Sequence, residues 1–200
     1  MSGDSSIPSS PRLSSRVALD RVRCAWAGAT PDYLTYHDTE WGVERHGNDA
    51  LFERLSLEAF QSGLSWLTIL RKREAFRTAF SRFVIADVAA FDETDVIRLM
   101  TDVGIVRNRA KINATIRNAR AALDVAEGLS ELLWSFAPEQ PRARPATLAD
   151  VPATSRESVA MARELKRRGF SFVGPTTAYA LMQATGMVDD HVADCWRAGT

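Results

Sequence analysis

Cysteine and histidine are scarce in this chain, with two of the former and three of the latter in 200 residues. Two cysteines do not make a disulfide framework, and a reducing, cytoplasmic setting is expected. Long apolar runs are missing too. None approaches the roughly 18 residues that a membrane span needs, so a soluble protein without a membrane partner is expected. Charge of one sign is not in excess, at 25 basic and 25 acidic residues. That argues against a protein wrapped in nucleic acid but leaves room for a local basic surface. Strand signals are nearly absent: "RFVIADV", near 82–88, is the only β-like run and is too short to build a sheet. The first 20 residues, "MSGDSSIPSSPRLSSRVALD", lack aromatics and the apolar centre of a signal peptide. They read as a flexible extension (1–20) ahead of one domain spanning 21–200. There is no internal repeat.

What remains is helical punctuation around a hydrophobic content of 46%, enough for a buried core. Asn48 or Asp49 is placed to cap a helix whose stripe includes Leu51, Phe52, Leu55, Ala59 and Phe60. "FDETDVIRLMTDVG" opens on an Asp cap and closes at Gly104. Asn108 begins a long amphipathic stretch through Ala122. Ser130 is expected to cap "ELLWSFAP" before Pro138. Residues 138–154 hold four of the eight prolines and read as a loop between lobes. Thr154 and Glu157 suggest a capping box for a helix that runs to Arg168 and stops at Gly169. Pro175 suits the first turn of the next helix, which ends near Gly186. The fold class is all-α. Basic runs at 71–73, 107–111 and 166–168 read most simply as solvated faces and helix C-terminal turns.

The rare residues are not scattered. "HVADC" places His191 and Cys195 four apart, within reach of each other on one helix face. Cys24 and His37 lie at the other end of the chain. Thiolate and imidazole are preferred zinc ligands, and four of them close a tetrahedral structural site. A clasp joining the termini would use both cysteines and leave only His46 outside. Two buried thiols and two satisfied histidines would produce the same pattern.

"RCAWAG", "YHDTEWGV", "LSLEAFQSGLSWLTIL", "GIVRNRAKINATIRNA", "WSF" and "RGFSFVGPTTAYALMQATGMVDDHV" appear in this order, followed by the last cysteine. Together they resemble the DNA-3-methyladenine glycosylase I family, within the helix-hairpin-helix glycosylase superfamily, from Cys24 to Cys195. The resemblance implies two helical lobes around a cleft, a helix-hairpin-helix DNA-binding element and a structural Zn²⁺ on Cys24, His37, His191 and Cys195. It implies a bacterial, cytoplasmic, monomeric base-excision enzyme that flips 3-methyladenine out of alkylated double-stranded DNA and releases the free base. It maps base recognition onto Tyr36, Glu58 and Trp66, with Trp26, Tyr33 and Trp41 around them.

That mapping suits the chemistry. An N3-methylated adenine nucleotide is a cation, so π faces attract it more than ordinary adenine. Glu58, between Leu57 and Ala59, would complement its charge and accept a hydrogen bond. Leaving as a neutral base, it needs no general acid. The superfamily pattern V-D-x-H puts Asp189 of "VDDH" in a supporting catalytic place, with capping of the next segment as the competing role. Gly63 and Leu64 match positions that probe the gap left by a flipped nucleotide. Gly174, Thr176 and Thr177 are candidate phosphate contacts at a helix N-terminus. The loop "GFSFVG" keeps only the final V-G of the superfamily hairpin. Two other readings stay open: a zinc-clasped module that binds alkylated DNA without turnover, and a bifunctional glycosylase/lyase.

Overall fold

The structure, a computed structural model, describes residues 21–199. The extension expected over 1–20 lies outside them, except for its boundary. Among the described residues the chain is helical, with no strand. Nine α-helices follow in order: α1 (Pro31–Thr39), α2 (Asn48–Gln61), α3 (Trp66–Ala79), α4 (Ile85–Ala89), α5 (Glu93–Thr101), α6 (Arg109–Leu123), α7 (Leu129–Trp134), α8 (Arg156–Arg167) and α9 (Pro175–Ala184). None is long and apolar enough to cross a membrane.

Helix α2 is the keel. It is buried on nearly all sides from Leu51 to Phe60 and packs on α3, α6, α7 and α9. Helices α4, α5 and α6 form one lobe, and the α8–α9 pair forms the other. An aromatic seam of Phe60, Phe76, Phe80, Phe83 and Phe91 fills the first lobe, with Phe80 and Phe83 stacked at 5.5 Å. That stack needs a left-handed turn: Ser81, Arg82 and Phe83 have φ of 49°, 53° and 57°. Such a conformation costs roughly 1–2 kcal/mol per residue, which full burial of Phe83 offsets in part.

Several local expectations shift. "RFVIADV" is not extended but leads into α4, whose Ile85 N–H is bound by Asp49 Oδ1 at 2.9 Å. Asp49 is therefore not the cap of α2, and neither is Asn48. Gly47 occupies that place, while Asn48 Oδ1 accepts from Ser130 N at 2.8 Å and ties α2 to α7. Ser130 in turn sits inside α7, behind Gly128. The box before α8 is one residue later than expected, with Ser155 and Ser158 in place of Thr154 and Glu157. Asp92, Asn108 and Pro175 take the places expected of them.

The segment "HVADC" is not helical. Its N–H groups find partners elsewhere, His191 N on Asp189 Oδ1 and Ala193 N on Pro145 O, and just beyond it Trp196 N bonds Val22 O. The turn still brings His191 and Cys195 to one side, and the last bond ties the C-terminal segment to the start of the described chain. Residues 42–45 complete the closure by bonding the end of α9, through Gly42 N to Gln183 O and Arg45 N to Thr185 O. Gly42 has φ +76°, and a Cβ there would meet His191 Cε1 at 2.7 Å. Only glycine fits both demands.

Candidate active site

A cavity of about 190 Å³ opens between α2 and α9, roofed by the N-terminal aromatics. Trp26, Tyr36, Trp41 and Trp66 wall it, with Glu58 and Gln61 of α2, Ala180, Gln183 and Ala184 of α9, and Asp190. Trp26 is the hub: its ring lies 5.8 Å from Tyr33, 6.2 Å from Tyr36 and 5.0 Å from Trp41, edge to face. Tyr36 and Trp66 meet at 5.3 Å. Tyr33 stands behind this wall, its hydroxyl accepting from Leu67 N at 2.9 Å, and so fixes the start of α3 rather than lining the cavity.

Glu58 is 5% exposed. Burial among aromatics pushes its carboxyl up to about 7, against the pull of Arg54 one turn earlier on α2. Sequence reasoning missed Arg54. It is itself buried, donates to Tyr36 Oη at 3.1 Å, and lies 5.3 Å and 5.2 Å from the Tyr36 and Trp66 ring centres. Because Arg54 donates to the Tyr36 oxygen, that hydroxyl keeps its own proton for a cavity ligand. The signal was present as a lone cation in an otherwise apolar helix, spaced four from Glu58. The indole N–H of Trp66 is buried without a partner, a second donor beside the cavity.

A neighbouring hollow shares Glu58, Gln61 and Ala180 with the first and continues along Ser62, Gly63, Leu64, Thr176 and Thr177. Gly63 takes φ +80° in an exposed turn, and Leu64 is 41% exposed. Gly174 precedes α9 as its N-terminal residue and is exposed beside Thr176. Lys111 supports the Gly63 turn from below, its ammonium donating to Phe60 O at 2.8 Å and Ser62 O at 2.6 Å. The basic runs are otherwise largely paired within the protein: Arg71 with Asp32, Arg73 with Glu40, Arg109 with Glu93, Arg167 with Glu164, and Arg168 with Glu127 and Glu164.

Behind the cavity, Cys24, His37 and Cys195 bring their ligand atoms within 4.8 Å of one another, all buried. His191 adjoins them, its ring 5.1 Å from that of His37, and its Nε2 is buried with no partner. An orphaned imidazole nitrogen beside two thiols and a second imidazole is a donor set that fits Zn²⁺. Both rings are oriented from outside. Asp38 Oδ1 meets His37 Nδ1 at 2.9 Å, and Asp189 Oδ1 meets His191 Nδ1 at 2.9 Å. Carboxylates in that position fix each ring with Nε2 turned inward. Burial opposes the Asp189 charge, but the bonds from His191 and Gly199 hold its carboxyl at about 2. The structure thus turns Asp189 to the clasp and away from the cavity. The carboxylate on the cavity wall is its neighbour, Asp190.

Comparison with known proteins matches residues 26–198 to the methyladenine glycosylase family. The chain is 47% identical to DNA-3-methyladenine glycosylase 1 of Escherichia coli (strain K12), over 86% of this chain and 95% of that protein. A solved 3-methyladenine DNA glycosylase I superposes with a TM-score of 0.85 at 44% identity, covering 88% of this chain and 99% of the other. A variant of such an enzyme, solved in complex with 3-methyladenine, superposes at 0.84 with 35% identity, covering 89% and 98%.

Proposed function

The chain belongs to the methyladenine glycosylase family, and from that premise we propose how its residues perform the family reaction: monofunctional hydrolysis of the N-glycosidic bond of 3-methyladenine in alkylated DNA. One observation carries the proposal. A single buried glutamate faces an aromatic cavity of a size suited to one purine.

The target nucleotide leaves the stack and enters the cavity between α2 and α9. Its positive ring rests against Tyr36 and Trp66, with Trp26 and Trp41 closing the sides. Glu58 accepts from the base edge, and its ionised form balances the ring charge. Neutral adenine offers neither the charge nor the fit, so selection occurs on binding. Breaking the bond returns the electron pair to the base, which leaves neutral and without an acid. Water completes the sugar side. Because Glu58 titrates near 7, a protonated Glu58 loses the attraction, and excision should weaken as pH falls below neutral.

The duplex lies over the adjoining hollow, with Leu64 and Gly63 entering the gap left by the flipped nucleotide. Gly174, Thr176 and Thr177, at the α8–α9 hairpin, receive phosphate through backbone N–H groups. Cys24, His37, His191 and Cys195 would hold a Zn²⁺, whose contribution would be structural, joining the two ends of the chain. The bacterial relative supports a bacterial cytoplasmic setting, and action on the nucleoid as a monomer belongs to the same proposal. Among the described residues no lysine lines the cavity, and Lys111 is tied to carbonyls, which favours hydrolysis over lyase chemistry.

Incubation with alkylated duplex, followed by chromatography of released bases, tests this reading. Free 3-methyladenine without strand nicking or borohydride trapping is expected. Tight binding with no release would make the protein a binder of alkylated DNA, and trapping would make it a lyase.

A further inference from the structure

We propose that Asp190 is a second catalytic carboxylate of this cavity, supporting the positive charge that grows on the deoxyribose as the base departs; this rests on the glycosylase reading above. Asp190 is 5% exposed, yet it lines the cavity. A buried carboxylate is costly unless it is anchored, and this one is. Its Oδ2 accepts from the Tyr179 hydroxyl at 2.5 Å and from Gln183 Nε2 at 2.8 Å. Tyr179 is directed in turn by Arg142, whose Nη1 donates to the phenol oxygen at 2.9 Å. Both anchors therefore use one oxygen, and Oδ1 is left as the oxygen available to the cavity.

The placement is built into α9. Tyr179 and Gln183 are spaced four apart and hold the carboxylate, while Ala180 and Ala184 border the cavity as small residues that do not screen it. Glu58 reaches the same cavity from α2. The two acids differ in setting. Glu58 lies among aromatic rings, whereas Asp190 is gripped by the Tyr179 hydroxyl and the Gln183 amide. Carboxylates set apart in this way take different roles. Glu58 reads the base, and Asp190 serves the sugar.

The bond between C1′ and the base breaks, and its electron pair stays with the base, which leaves neutral. The sugar carries the positive charge, which Asp190 stabilises. Water oxygen bonds to C1′, and its proton passes to the carboxylate and then to solvent. Tyr179 is the positioning residue, and Gln183 shares that task.

The test compares Asp190→Asn, Tyr179→Phe and Glu58→Gln in single-turnover excision and in equilibrium binding of free 3-methyladenine. Asp190→Asn keeps an oxygen for both donors and removes only the charge. Excision is expected to fall about 100-fold, with free-base binding within about twofold of wild type and an unchanged melting curve. Tyr179→Phe keeps the charge and loosens it, and about a tenfold slower excision at unchanged base binding is expected. Glu58→Gln should lose base binding. The proposal is overturned if both Asp190→Asn and Tyr179→Phe excise at the wild-type rate, or if base binding falls in parallel with rate. Failure of wild type itself to release 3-methyladenine would instead overturn the glycosylase reading.

Discussion

The cavity and the clasp are built back to back from alternate neighbours in sequence. Tyr36 faces the cavity and His37 the clasp; Asp190 faces the cavity and His191 the clasp. Trp41 touches both, lining the cavity while its ring meets His191 at 4.6 Å. Trp26 does the same, 5.4 Å from His37. The difference lies in their chemistry. The clasp is a closed set of thiols and imidazoles steadied by outer carboxylates, whereas the cavity is an open set of rings and acids. Joining the chain ends is therefore also what fixes two walls of the cavity. Closing the termini costs loop entropy, and the geometry of the base site depends on that closure.

The comparison breaks most sharply at Glu58. Glu58→Gln leaves the clasp untouched and should slow release of 3-methyladenine by at least about 100-fold, measured by single-turnover excision. The same variant carries a stability signature of opposite sign. The folded-state value of Glu58 lies above that of an ordinary glutamate, so the wild-type fold binds the proton more tightly than the unfolded chain. Stability from this group is therefore present at low pH and declines as pH rises from about 4.5 to about 7. Glu58→Gln should remove that decline and melt higher than wild type at pH 8 in calorimetry, although it is nearly inactive.

Cys195→Ser attacks the other side. Metal analysis of the purified variant should show less zinc than wild type, with a melting point lower by roughly 5 °C or more. Weaker binding of 3-methyladenine should follow, because Trp41 and Trp26 lose their backing. Unchanged base binding in a metal-free variant would separate the two regions. Asp189→Asn is a finer cut. Zinc affinity should drop about tenfold in chelator competition, while the zinc-saturated variant excises at the wild-type rate. Leu64→Ala is the mildest change: it lies outside both regions, and about a threefold loss of excision from duplex is expected, with none in free-base binding.

Much of this architecture was legible. Helix ends at Asp92, Asn108 and Pro175 follow from caps that act locally. The rare Cys and His residues pointed to each other across the whole chain because their scarcity leaves few alternatives. What failed did so for physical reasons. Two adjacent cap-forming residues, Thr154 and Ser155, satisfy the same local rule, and tertiary packing chose the second. Asn48 and Asp49 gave up capping of their own helix to bind Ser130 and Ile85, partners no local pattern reveals. "HVADC" has helical spacing but gives up helical bonds, with Ala193 bound to Pro145 and the following Trp196 to Val22. A motif locates a pair of aspartates, but backbone direction decides which faces the cavity. Arg54 stood out as the lone cation of α2, but its partners, Tyr36 and Glu40, come from another segment that no local pattern names.

A flat aromatic slot in which Glu58 accepts from the edge of the methylated purine underlies its selection. Tryptophan fluorescence titration of wild type and Glu58→Gln with 3-methyladenine and with adenine tests that claim most directly. Wild type should bind 3-methyladenine at least about tenfold more tightly than adenine, a difference of about 1.4 kcal/mol, and Glu58→Gln should lose most of that preference. Equal binding of the two bases by wild type, or an undiminished preference in the variant, would contradict it.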